Sequence, residues 1–216
     1  NLLLPVFNKL SPLPEGELRT AIEEYANKVN FSLKNIMVID GSKRSSKSNA
    51  FFSGIGPKKS IVLYDTLIED HTTEELVGIL AHEVGHYKHK HVQKSMIMSV
   101  VQTGILLYIV GWALRTPELS LALGAEIPSF HIGMLAFGLL YSPVSTLLGI
   151  AMNYLSRKNE YEADNYAKNT YSSEPLISSL KKLSTKHLSN LNPHPAYVFC
   201  YYSHPPLLQR MGNLEK

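Results

Sequence analysis

Leu80-Ala81-His82-Glu83-Val84-Gly85-His86 is the stretch that decides how this chain is read. Just upstream, Glu74-Glu75-Leu76-Val77-Gly78-Ile79-Leu80-Ala81 contains no proline and spaces its apolar residues by three and four, the pattern of a buried helix. Thr72 or Thr73 can cap that helix, and Glu74 and Glu75 fall in its first turn, where the helix dipole favours anions. His82 and His86 are four apart, so both imidazoles lie on one face about one turn from each other. Two neutral imidazoles so placed can share one zinc ion. Glu83 stands beside the first of them and can take a proton as water attacks a carbonyl, without ligating the metal. A histidine on an apolar helix is often only a satisfied core residue. A carboxylate in the same apolar run is costly without a partner or a task, which favours chemistry.

A His-Glu-x-x-His zinc site needs one more protein ligand and an open position for water. The segment Ser156-Arg157-Lys158-Asn159-Glu160-Tyr161-Glu162-Ala163-Asp164 offers Glu160 and Glu162. Helical geometry separates them only in part. Glu160 and Asp164 share a face, with Glu162 nearly opposite. A ligating Glu160 would leave Asp164 placed behind a ligand histidine, holding its ring. The bland alternative is that Glu160 and Asp164 make surface pairs with Arg157 and Lys168.

Between these segments the chain changes character. Ser95–Leu114 carries no charged side chain, and Phe130–Leu155 has no Asp, Glu, Lys or Arg and only one histidine, His131. About 20 apolar residues is the length needed to cross a bilayer, so both stretches read as membrane spans, the second kinked at Pro143. Lys88, Lys90 and Lys94 precede the first span, and Arg157 and Lys158 follow the second. Positive residues favour the cytoplasmic side, so the expected protein is integral to a membrane, with its catalytic side towards the cytoplasm. That membrane would be the inner membrane in a bacterium and the endoplasmic reticulum in a eukaryote.

The remainder is expected to fold around the motif helix. Glu15–Asn30 has an amphipathic stripe of Leu18, Ile22, Tyr25, Ala26 and Val29. Asn35–Asp40, Ser48–Ser53 and Ser60–Tyr64 read as strands of a small antiparallel hairpin or sheet, and Glu174–Leu188 as another amphipathic helix. Residues 1–14 read as loop, with Phe7-Asn8-Lys9-Leu10 a linker or a membrane-surface segment. The expected parts are 1–94, 95–155 as a membrane hairpin, and 156–216, together one domain that is mainly α. A net charge of +3 without a stripe of arginines and interleaved aromatics points to no nucleic-acid partner, and the single Cys200 excludes an internal disulfide framework. His204, before Pro205 and Pro206, is held extended and can donate to an oxyanion.

Three segments together resemble the zinc-dependent CAAX prenyl proteases: His82–His86, Glu160–Asp164, and Ser203-His204-Pro205-Pro206-Leu207-Leu208-Gln209-Arg210. Gly41–Ser46, Ser48-Asn49-Ala50-Phe51, Leu63–Leu67 and Pro12–Gly16 strengthen the match. The resemblance implies a membrane-embedded endopeptidase with a gluzincin-like zinc core, which removes the three residues after a prenylated cysteine. It implies further membrane helices upstream of Asn1. It assigns one Zn2+ to His82, His86 and Glu160, the base to Glu83, and support of the site to Asp164. His204 and Arg210 would line the cleft, and Asn49 and Ala50 would pair with the substrate backbone. The family has Glu where this chain has Gln209. The expected partners are a peptide or protein substrate, able to carry a prenyl group, and the lipid bilayer. An alternative with the same chemistry is a quality-control protease resembling the HtpX-like heat-shock enzymes. A scaffold with a structural zinc would need a fourth protein ligand, which the sequence does not offer.

Overall fold

The structure, a computed structural model, describes residues 10–42, 50–53 and 59–216. Asn49 and Ser48 of the expected second strand, and Phe7-Asn8-Lys9 of the expected linker or membrane-surface segment, lie outside the described residues. The elements run β1 (Leu10–Pro12), α1 (Glu17–Lys28), β2 (Leu33–Ile39), β3 (Ala50–Ser53), β4 (Lys59–Tyr64), α2 (Asp65–Asp70) and α3 (Thr73–Lys88). They continue with α4 (His91–Leu114), α5 (Pro117–Ala122), α6 (Phe130–Thr170), α7 (Ser173–Lys186), α8 (Pro195–Tyr201) and α9 (Leu207–Leu214). The fold is mainly α with a small sheet, as expected.

Two compact units divide the chain. One holds 1–89, 158–194 and 205–216, and the other 90–157 and 195–204. In the first, the sheet has the order β1-β2-β4-β3. It is mixed, which corrects the expected antiparallel sheet. β3 pairs antiparallel with β4, as a hairpin does, but β2 and β4 run parallel in register Ile36 to Ile61 and Ile39 to Tyr64. The physical reason is burial. Ile61, Val62 and Leu63 are all buried, so β4 is a central strand without alternation, and such strands suit parallel pairing. Leu10–Pro12, expected as loop, pairs with β2 as an edge strand, a position that tolerates Pro12.

α3 runs through the core of this unit. Thr72 caps it in a reciprocal box, its hydroxyl accepting from the Glu75 N–H and the Glu75 carboxylate accepting from the Thr72 N–H at 2.9 Å. Glu75 is buried and also accepts from Ser178 at 2.6 Å and Lys182 at 2.7 Å, which ties the start of α3 to α7. These partners outweigh the burial of Glu75 and hold its carboxyl below the usual range. Leu76, Val77, Leu80, Ala81 and Val84 are nearly inaccessible and pack with Ile22, Tyr25, Leu67 and Leu176. At the other end of α3, the buried Lys59 ammonium sits 3.5 Å from the Tyr87 ring centroid and 4.9 Å from that of Phe31.

The second unit contains the apolar helices. α4 has 24 residues and α6 has 41. At 1.5 Å per residue they are about 36 Å and about 60 Å long, both more than a bilayer core requires. Only 6% and 11% of their most apolar windows are buried, unlike core helices of a water-soluble fold. α6 runs unbroken through Pro143 and past its last apolar residues, and its final turns, from Lys158, belong to the first unit. The second long apolar stretch and the Glu160 segment are therefore one continuous helix.

Candidate metal centre

α3 and α6 bring together the residues that the sequence singled out. Nε2 of His82 and Nε2 of His86 face each other at 3.1 Å. Glu160 stands 3.6 Å from the first through Oε2 and 3.3 Å from the second through Oε1. Ligand atoms about 2.0–2.1 Å from a tetrahedral zinc ion lie about 3.3 Å apart, so this spacing fits one. The charges fit as well. Glu83, Glu160 and Asp164 face one guanidinium, Arg210, which leaves two negative charges for a divalent cation to neutralise.

The close approach of the two helices depends on Gly85. A Cβ at that position would lie 3.0 Å from Cα and O of Ala163 and 3.0 Å from Cβ of Tyr166. Ala163 and Ala167 are fully buried, and the stripe Glu160, Ala163, Asp164, Ala167 is the face of α6 turned to α3. A second close approach at Gly78, whose Cβ would lie 3.1 Å from the Leu176 backbone nitrogen, sets α7 on the same helix. In an open helix Gly→Ala gains about 1 kcal/mol. Gly85→Ala is expected to cost about 1–3 kcal/mol instead, because backbone must move. Thermal melting in detergent checks this: Gly85→Ala should fall below the parent, whereas Gly104→Ala, with open space around it, should not.

Asp164 is completely buried, and its Oδ1 lies 2.8 Å from Nδ1 of His82. That contact fixes the ring so that Nε2 points at the shared position. Arg210, on α9, donates from Nε to Asp164 at 2.8 Å and from Nη2 at 2.6 Å, and its Nη1 is 3.4 Å from Glu160. Burial alone would raise the Asp164 carboxyl, but His82 and Arg210 overcome it and hold the group below the usual range. Burial likewise opposes a charged His86, and the Glu160 carboxylate outweighs it and raises that imidazole. Arg210 therefore braces both α6 carboxylates, in addition to the cleft-lining place that the resemblance implies for it.

Glu83 is different from its neighbours. Among the described residues its carboxylate has no hydrogen-bond or ion-pair partner, and it is half-buried. Burial pushes its pKa up, helped by Glu160 and opposed by His82, His86 and Arg210. Glu162 lies outside the group and pairs with Lys158 at 3.9 Å. Ala50 opens β3, the last strand of the described sheet, and β3 packs on α3. His204 belongs to the second unit, exposed, with Nδ1 3.0 Å from Ser203 Oγ. Gly85 and the Glu75–Lys182 tie were not anticipated. The signal for the first was a glycine inside an otherwise apolar helix, which usually marks a close packing contact.

Residues 12–216 match peptidase family M48. A protein of Oryza sativa subsp. japonica named CAAX prenyl protease 1 homolog is 42% identical over 99% of this chain, and CAAX prenyl protease 1 of Saccharomyces cerevisiae 36% over the same share. The chain spans about half the length of these relatives, 51% of each. The crystal structure of S. mikatae Ste24p superposes with a TM-score of 0.84 at 38% identity, covering 97% of this chain and 52% of that one. With the match running through every element that builds the His82, His86 and Glu160 group, the chain belongs to peptidase family M48.

Proposed function

We propose that this chain is the catalytic portion of a membrane-embedded zinc metalloendopeptidase, which cleaves near the C-terminus of CAAX-type substrates. The observation that carries it is the convergence of His82, His86 and Glu160 beside Glu83. Residues 1–94 and 156–216 supply the peptidase and 95–155 its membrane hairpin.

His82 Nε2, His86 Nε2 and a Glu160 oxygen would hold one Zn2+. When bound, that ion supplies Lewis acidity to the water and to the scissile carbonyl. Glu83 takes the proton of the attacking water and returns it to the departing amine. Asp164 keeps His82 in the tautomer with a free Nε2, and Arg210 keeps Asp164 ionised. His204 donates a hydrogen bond to the developing oxyanion. The substrate adds as a strand beside Asn49 and Ala50, where pairing through its main chain fixes the register. Lys88 and Lys90 before α4, Lys94 in its first turn, and Arg157 and Lys158 on α6 favour the cytoplasm as the catalytic side.

The names of the relatives favour a prenylated substrate over an unfolded one. The test uses the whole protein in detergent, with zinc content and cleavage of a CAAX peptide measured with and without its farnesyl group. The expected result is one zinc per chain and faster cleavage of the farnesylated peptide. Equal cleavage of both would favour the quality-control reading, and absence of zinc would end the metalloprotease reading.

A further inference from the structure

We infer that α8 is an aromatic anchor lying in the headgroup region of the bilayer, at the level where the apolar part of α6 ends. This rests on the membrane reading of α4 and α6. The first observation is where α8 is held. α6 is uncharged from Phe130 to Ser156 apart from His131, and Arg157 is its first charged residue. Arg157 donates through Nη1 to the carbonyls of Val198, at 3.0 Å, and Tyr202, and through Nη2 to that of Phe199 at 3.4 Å. Asn153, one turn earlier, donates to the Cys200 carbonyl at 2.8 Å. The last carbonyls of a helix have no partner within it. In α8 the Phe199 and Cys200 carbonyls are taken by these side chains at the boundary of the span, as is that of Tyr202 just beyond the helix, while Val198 accepts from Arg157 as well as from the Tyr202 N–H; these contacts fix the depth of α8.

The second observation is what α8 turns outward. Val198 is buried, whereas Tyr197, Phe199 and Tyr201 are 55%, 54% and 65% exposed. Tyr197 and Tyr201 are one turn apart, with ring centroids at 4.9 Å, and Tyr202 meets Tyr197 edge-on at 5.8 Å. On α6, at the same level, Tyr154 and Leu155 are also exposed. Three large aromatic side chains in water would be an unfavourable surface. At a headgroup boundary, their rings reach the acyl chains and the hydroxyls of Tyr197 and Tyr201 stay hydrated, as in the aromatic belts of membrane proteins. Between Pro195 and Pro206 there is no Asp, Glu, Lys or Arg, and the one histidine is His204. The occupant that fits an uncharged, tyrosine-rich face continuous with two apolar helices is therefore lipid.

The test reads depth. Tyr201→Trp and, as a mid-span probe, Ile105→Trp are each made in a Trp112→Phe background, with that background alone as the blank. The proteins are placed in phosphatidylcholine vesicles whose acyl chains carry bromine at upper or at middle carbons. The probe at 201 is expected to be quenched about twofold better by the upper bromines, and the probe at 105 by the middle ones. If the probe at 105 responds and the one at 201 responds to neither lipid, α8 faces water or protein and the anchor is overturned while the spans stand. A probe at 201 quenched best from mid-chain overturns the interfacial placement. If neither probe responds, the spans fail and the anchor fails with them.

Discussion

Glu83→Gln is expected to leave the metal in place and to lower kcat by about 100- to 10,000-fold. The substitution keeps the size and polarity of the side chain and removes only its capacity to take a proton. Among the described residues no hydrogen bond or ion pair is made by the Glu83 carboxylate, so its exchange for an amide breaks none. That sets it apart from Asp164 and Glu160, which are bound to His82, His86 and Arg210. Melting temperature and zinc content should therefore match those of the parent, and KM should change little. Turnover near the parent value would remove Glu83 from the reaction. A loss of zinc together with turnover would show that it holds the metal rather than the proton.

How much of this was legible in the sequence depended on which interactions were local. The motif helix was, because capping, first-turn acids and apolar spacing all act within a few residues. Its Thr72–Glu75 box sits where the reading placed a cap. The two apolar helices were legible by length and the absence of charge. The sheet was legible as strands but not as pairing. That β2 lies parallel to β4 is decided by what covers its faces, and a period of two looks the same in either direction. β1 was hidden because its proline suggests a loop. α8 was hidden as well, although Pro195 at its first position is a common helix start.

The choice between Glu160 and Glu162 shows the same boundary. Helical spacing put them on different faces but could not say which face meets His82. The residues that answer this are Ala163 and Ala167, whose small side chains let α3 approach and which share a face with Glu160. A stripe of small residues beside an acid is a readable sign of close helix contact, and it points to Glu160.

Glu160→Ala is expected to weaken zinc binding by several orders of magnitude, and Glu162→Ala to leave it close to the parent value. Glu160 would supply the one anionic ligand to the ion, and its oxygens stand 3.3 and 3.6 Å from the two histidine nitrogens. Removing it leaves two imidazoles, too few for the three protein ligands that catalytic zinc sites use. It also frees Arg210 Nη1 beside the vacated position, so a positive charge would face the cation and weaken binding further. Glu162 lies outside the His82, His86 and Glu160 group; its surface pair with the largely exposed Lys158 contributes about 0.5 kcal/mol, and its loss should pass unnoticed at the metal. Competition of each purified variant against a chromogenic chelator measures the difference directly, without reference to activity. Equal affinities in the two variants would remove Glu160 from the ligand set. The reverse order would mean that α6 presents its other face to the metal, in conflict with the buried Ala163 and the contact between His82 and Asp164.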